Sequence, residues 1–216
     1  TLTADGKSLL RQCKQLLQQA DALDDYARGL NKQVAGKIHI GCFSTLGPLV
    51  IPRLLQLARK EYPALSIHVT EDNLAKLDAQ LLSGHLELAL SYGLDQDKRI
   101  HHEPLADCPP YVLLPAAHPL TELDSISLKQ LSQEPMILLD LPHSGDYFLS
   151  LFNGIGCQPE IAYRSRSFEM VRCMVASGLG FSLLNQRPQT NISYNGGELK
   201  MVPLEAGLCK SLQIVI

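Results

Sequence analysis

No stretch of this sequence approaches the length of apolar chain needed to span a bilayer, and the N-terminus has no signal-peptide core. Both absences lead to the expectation of a cytoplasmic protein without a membrane partner. Excess positive charge is also missing: the formal net charge is −3, whereas wrapping a polyphosphate needs a concentrated basic surface. Six cysteines stand at positions 13, 42, 108, 157, 173 and 209 without a C-x-x-C or any short paired spacing. Neither a zinc site nor a disulfide framework is indicated, and reduced thiols are the simpler account.

Signatures of catalysis are equally sparse. There is no G-x-S-x-G elbow, and Gly178-Leu179-Gly180 lacks the third glycine and the preceding strand of a dinucleotide fingerprint. His143-Ser144 with Asp140 or Asp146 has the residue types of a hydrolytic group, but such groups are defined by geometry and adjacent residues seldom point at each other. His101 and His102, neighbours in extended chain, point to opposite faces and have no third ligand at a useful spacing. The expectation is no catalytic residue, no metal and no cofactor.

What is present is a chain 45% hydrophobic, enough to build a core. The segment Gly36 to Leu57 changes period twice. Ile38, Ile40 and Cys42 alternate with Lys37, His39 and Gly41 as in a half-buried strand, and helical spacing then runs through Leu54, Leu55 and Ala58. Ser44 and Thr45 lie between the two, followed by Gly47 and Pro48. Ligands of open α/β sheets sit beyond the carboxyl ends of strands, and helix N-termini offer unpaired N–H groups. Ser44 and Thr45 therefore either face a small polar or anionic ligand or cap the helix.

Before that segment, residues 3 to 34 read as one helix with Thr3 as N-cap. Leu9, Cys13, Leu16, Ala20, Leu23, Ala27, Leu30 and Val34 step alternately by four and three, the seam of a coiled coil. This predicts self-association through residues 1–35, with packing onto the chain's own globular part as the other reading. After it, Ile67 and Val69 predict a second strand and Leu74, Leu77, Leu81 and Leu82 a helix ended by Gly84. Leu86, Leu88 and Leu90 predict a third strand. The three strand ends near Ser44, Asn73 and Tyr92 are expected along one edge. Polar chain from Asp95 to Pro110 marks a boundary. A second α/β unit of the same plan follows: strand Tyr111–Leu114, helix Ser127–Leu131, strand Met136–Leu139, helix Ser144–Ile155, strand Ile161–Tyr163, helix Ser167–Ser177 and strand Phe181–Leu184. Two such lobes imply a cleft suited to a ligand.

The heptad helix beginning Leu2-Thr3-Ala4-Asp5-Gly6, then GKIHIGCFSTLGPLVIPRLLQLARKEYPALSIHVTE, LLSGHLELAL, YVLLPAAHPL and VASGLGFSLL, resembles in that order the linker helix and regulatory region of LysR-type transcriptional regulators. The resemblance implies an α/β fold of two Rossmann-like lobes, the periplasmic-binding-protein-like type 2 fold, preceded by a long linker helix. It places a linker at 1–35, a first lobe at 36–110 plus 210–216, and a second at 111–209. It implies a small-molecule effector, a carboxylate or similar anion, bound in the interlobe cleft. The pocket carried over residue by residue falls on Ser44, Thr45, Asn73, Tyr92 and Gly93 in the first half, and on His143, Ser144, Gly145, Ser165, Arg166 and Ser167 in the second. Arg166 is suited to a carboxylate because guanidinium binds it in a bidentate manner; the other reading is a solvated surface arginine. A homodimer or homotetramer is implied, with DNA reached only through the family's winged helix-turn-helix, which is absent from this sequence. The chain resembles a regulator fragment with a shortened C-terminus. A bilobal solute-binding protein for transport is the alternative.

Overall fold

The computed structural model describes residues 34–94, 97–205 and 212–216 and, before them, Thr3, Asp5, Gly6, Leu9, Gln12, Cys13, Leu16, Leu17, Gln19 and Ala20. Of the predicted linker seam, Leu9, Cys13, Leu16 and Ala20 are helical and exposed, while Leu23, Ala27 and Leu30 lie outside the described residues. The Thr3 hydroxyl accepts a hydrogen bond from the Gly6 N–H at 3.1 Å, the expected cap. The chain divides into two compact units, Thr1–Ser91 with Gln96–Glu103 and Ile216, and Tyr92–Asp95 with Pro104–Val215.

In the first unit β1 (Ala35–Phe43), α1 (Gly47–Glu61), β2 (Ala64–Asp72), α2 (Leu74–Leu82) and β3 (Leu88–Tyr92) follow one another. β1 pairs in parallel with β2 from Ala35↔Ala64 to Phe43↔Asp72, and in parallel with β3 from Ile40↔Leu88 to Cys42↔Leu90. All three carboxyl ends therefore emerge at one edge, as the strand-helix-strand spacing predicts. Gly41 permits a close contact at the centre of this sheet: a Cβ there would lie 2.6 Å from Leu86 Cδ1 and 2.8 Å from Leu77 Cδ2. Leu86 is consequently buried under β1 ahead of β3, instead of opening the strand as its alternation suggests.

The second unit departs from the expected common plan. β5 (Tyr111–Pro115) runs antiparallel to both β8 (Ser182–Leu184) and β9 (Leu199–Pro203), while β6 (Pro135–Leu139) and β7 (Glu160–Ser165) are parallel. β4 (Pro104–Cys108), in chain predicted to be a polar boundary, pairs antiparallel with the returning strand β10 (Leu212–Val215). Helices α3 (Leu128–Leu131), α4 (Ser144–Asn153) and α5 (Phe168–Ala176) complete the unit. Both faces of β5 and β6 are covered. Val112, Leu114, Met136 and Leu138 enter one core cluster with Phe148, Leu151 and Phe152; Tyr111, Leu113, Ile137 and Leu139 enter another with Val171 and Val175. This double burial explains why β5 and β6 read as continuous apolar runs without alternation. Gly180 is required where β6 meets the chain entering β8: its φ is +144° and a Cβ would stand 2.2 Å from the Pro135 carbonyl oxygen.

A hydrogen-bonded clamp fixes the loop 190–197 onto α5. Arg172, 1% exposed, donates through Nε to Glu169 Oε2 at 2.8 Å and through Nη2 to the carbonyls of Thr190 and Ile192 at 3.1 and 2.9 Å. Glu169 Oε1 accepts the Tyr194 N–H at 2.5 Å, and Asn195 Nδ2 donates to the Cys173 carbonyl at 3.4 Å and to Ser177 Oγ at 3.2 Å.

Candidate functional site

The first helix start does not follow the capping reading of Ser44 and Thr45. The chain turns once more after β1, with Leu46 N–H donating to the Phe43 carbonyl at 2.8 Å, so that Leu46 is the N-cap of α1 and no side chain caps it. Neither Ser44 nor Thr45 is the cap: Ser44 is half-buried and Thr45 buried. Ser44 N–H donates to the Asp72 carbonyl at 3.3 Å, which brings the ends of β1 and β2 together. Asn73, next in line, spends its side-chain oxygen on the Lys76 N–H at 3.2 Å and so caps α2.

A residue not singled out from the sequence stands at this edge. Glu71 lies opposite Cys42 in the β1–β2 register, and its carboxylate rests on the first turn of α1, where a Cβ on Gly47 would meet Oε1 at 3.0 Å. Burial foremost, and the Glu71 charge second, push the Cys42 thiol up to about 12. Asp72 beside it forms an ion pair with Lys76 at 3.0 Å and accepts the Asn73 N–H at 2.9 Å. The Asn73 amide foremost, with Lys76 adding, holds the Asp72 carboxyl below its usual range against a smaller opposing effect of desolvation. Glu71, exposed, has no ion-pair or hydrogen-bond partner among the described residues.

Tyr92 ends β3, Gly93 follows it, and both belong by their contacts to the second unit. Tyr92 is buried; its hydroxyl accepts from Gln186 Nε2, the Gln186 carbonyl accepts from the Tyr111 hydroxyl, and the Arg187 guanidinium lies over the Tyr111 ring at 4.7 Å. Gly93 N–H donates to the Gln213 carbonyl at 2.9 Å. Gln186 thus ties a predicted site residue to β5, a link between distant positions that leaves no local sequence signal.

In the second unit β6 and β7 finish in register at Leu139↔Ser165, and Asp140 N–H donates to the Ser165 carbonyl at 2.8 Å. This edge gathers His143, Ser144 and Gly145 with Ser165, Arg166 and Ser167. His143 is the N-cap of α4 and holds a left-handed φ of 66°, rare for a residue with a Cβ; no side-chain hydrogen bond caps the helix. Ser144 and Gly145 are buried, and a Cβ on Gly145 would lie 2.8 Å from Asp140 Oδ1. Asp140 in turn pairs with Arg164 at 3.4 Å. Ser165 Oγ accepts the Ser167 N–H at 3.2 Å, and Ser167 Oγ accepts the Met170 N–H at 3.3 Å as the cap of α5. Arg166 is exposed, and its guanidinium has no partner among the described residues. Among those residues no cluster of three or more His, Cys, Asp or Glu could hold a metal. Nor is any described helix long and apolar enough to cross a membrane.

A family model described as the LysR substrate binding domain matches residues 31–216. HinK, a LysR family transcriptional regulator from Pseudomonas aeruginosa whose crystal structure is solved, is 39% identical, with a TM-score of 0.80 over 100% of this chain and 74% of that one. The hydrogen peroxide-inducible genes activator of Dickeya chrysanthemi is 27% identical over 183 residues, 84% of this chain and 60% of the relative. The chain therefore spans about 60% of the length of the curated relatives it matches. The BenM effector-binding domain, solved with its effector benzoate, shares the fold at 23% identity and a TM-score of 0.72, covering 83% of this chain and 82% of that one. These relatives are described as transcriptional regulators or their effector-binding domains, not as enzymes. With two α/β units of this architecture and a family match across nearly all of both, the chain belongs to the LysR family of transcriptional regulators and carries their effector-binding domain of periplasmic-binding-protein-like type 2 fold.

Proposed function

We propose that this chain is the effector-sensing and self-associating portion of a cytoplasmic LysR-type regulator, and that it binds a small metabolite bearing a carboxylate or similar anionic group. The observation that carries the reading is the LysR substrate-binding match over residues 31–216. Benzoate in the BenM domain supports a carboxylate-bearing effector. The lobes are residues 36–110 with 210–216, and 111–209. The effector meets their strand ends: Ser44, Thr45, Asn73, Tyr92 and Gly93 from the first half, and His143, Ser144, Gly145, Ser165, Arg166 and Ser167 from the second. Arg166 takes the anionic group, because its guanidinium is exposed and not engaged elsewhere in the described structure.

Binding selects one relation of the lobes, and residues 1–35, pairing in a homodimer or homotetramer through the Leu9–Leu30 seam, pass that selection to a winged helix-turn-helix that reads DNA. A thermal-shift screen of metabolite acids followed by calorimetry tests the sensing role. Arg166→Ala and Ser44→Ala are each expected to weaken the hit about tenfold or more, with the fold retained; unchanged affinity in both variants defeats the pocket assignment. Leu16→Lys with Leu23→Lys is expected to lower the oligomeric state in sedimentation.

A further inference from the structure

The second unit holds two Asn-Gly pairs, Asn153-Gly154 and Asn195-Gly196. In such a pair the glycine nitrogen can attack the asparagine side-chain carbon, because glycine puts no Cβ in the way. Asn153 is exposed at the last position of α4, and no hydrogen bond engages its side chain among the described residues. There only the backbone is held, Gly154 N–H donating to the Ser150 carbonyl at 3.0 Å.

Asn195 lies in the loop that Arg172 and Glu169 clamp onto α5, and both ends of its amide are occupied. Nδ2 donates to the Cys173 carbonyl and to Ser177 Oγ, while Oδ1 accepts from Ser193 Oγ at 2.6 Å and from Gly197 N–H at 3.4 Å. The attacking nitrogen is engaged as well, Gly196 N–H donating to the Ser193 carbonyl at 2.9 Å. Gly196 has a φ of +82°, so the turn needs glycine at the very place where glycine makes the pair reactive. Reaction requires the side chain to leave these partners and the Gly196 nitrogen to give up its own.

We propose that Asn195 is a latent self-modification site: the clamp keeps it as asparagine, and its conversion to aspartate or isoaspartate, once the loop opens, unfastens the loop from α5 irreversibly. First the Gly196 nitrogen, losing its proton, bonds to Asn195 Cγ, and the side-chain nitrogen leaves as ammonia carrying that proton. The succinimide so formed takes up one water, which opens it at one carbonyl to aspartate or at the other to isoaspartate. Aspartate puts an oxygen where Nδ2 donated, facing the Cys173 carbonyl oxygen, and isoaspartate adds a carbon to the backbone of the turn. Either product removes the amide donor that ties position 195 to α5. The same loop carries the Thr190 and Ile192 carbonyls that Arg172 holds.

The test ages the 216-residue chain in mildly alkaline buffer, folded and in guanidinium chloride, and reads conversion at both pairs by peptide mass spectrometry. In denaturant the two asparagines should convert at similar rates. In the folded chain Asn195 should convert about tenfold or more slowly than in denaturant, and later than Asn153. Ser177→Ala, at an exposed position, removes one acceptor and should speed conversion of Asn195 in the folded chain about threefold to tenfold. Asn195→Asp installs one product directly. Hydrogen exchange at the Tyr194 N–H, which Glu169 accepts, should then quicken about tenfold while β6 exchanges as before. Absence of conversion in denaturant, equal rates for Asn195 folded and unfolded, or Asn195 converting ahead of Asn153 in the folded chain overturns the latent site. Unchanged exchange at Tyr194 in Asn195→Asp, or exchange that quickens equally in β6, overturns the unfastening.

Discussion

Two helix starts in this molecule solve the same local problem with different remainders. Both α1 and α4 have a glycine in the first turn, Gly47 and Gly145, and a carboxylate resting where a Cβ would be, Glu71 against the first and Asp140 against the second. Neither helix has a side-chain cap, so in each the carboxylate supplies the negative charge that a helix N-terminus favours. At α4 the acid directly follows the strand that feeds the helix, is short, and is paired with Arg164 on the neighbouring strand β7. At α1 it comes from the neighbouring strand β2, is longer, and is unpaired among the described residues. The first carboxylate is held by an arginine as well as by its helix start; the second rests on its helix start alone.

If Asp140 is held by Arg164 while Glu71 has no such partner, substitutions should separate accordingly. Arg172→Ala removes a buried cation that holds Glu169 and two loop carbonyls, and should cost about 3 kcal/mol in urea unfolding. Gly145→Ala should cost about 1–2 kcal/mol, since Asp140 Oδ1 at 2.8 Å from the new Cβ has little length with which to retreat and would give up its Arg164 geometry. Gly47→Ala should change stability by less than about 0.5 kcal/mol, because Glu71 is long and exposed and the helix gains from alanine. Equal costs at the two glycines would erase the distinction. Glu71→Gln should shift apo stability by no more than about 1 kcal/mol, the worth of a charge at an exposed helix start. The smallest effect concerns acid. The depressed Asp72 carboxyl contributes stability that is present above its unfolded value and lost as pH falls through its lower folded value. The difference between wild type and Asp72→Asn should therefore shrink when denaturation is repeated below the usual aspartate value of about 3.9.

How much of this was legible without coordinates depends on the range of the interactions. β1, α1, β2, α2 and β3 follow from period and punctuation because each is specified within its own dozen residues. β4 escaped because it is short, starts at Pro104, and is mostly exposed; its pairing with β10 joins positions about a hundred residues apart. β9 is equally brief and defined by Tyr111–Pro115 across the sheet. The site shows the same division. Strand ends at Ser44, Asn73 and Ser165 could be read from the chain, whereas Glu71 becomes interesting only through its register with Cys42 and the missing side chain of Gly47. The extra turn that makes Leu46 the cap of α1 overrides a strong local preference for serine and threonine.

The thiol of Cys42 gives the first unit a chemical clock of its own. It is fully buried, and its high pKa keeps it as the unreactive thiol at neutral pH. Alkylating reagents reach it only when β1 and α1 come apart, so its labelling rate reports opening of that unit. Loss of protection at Cys42 while the Arg172 clamp stays closed would reveal two units that open on separate schedules.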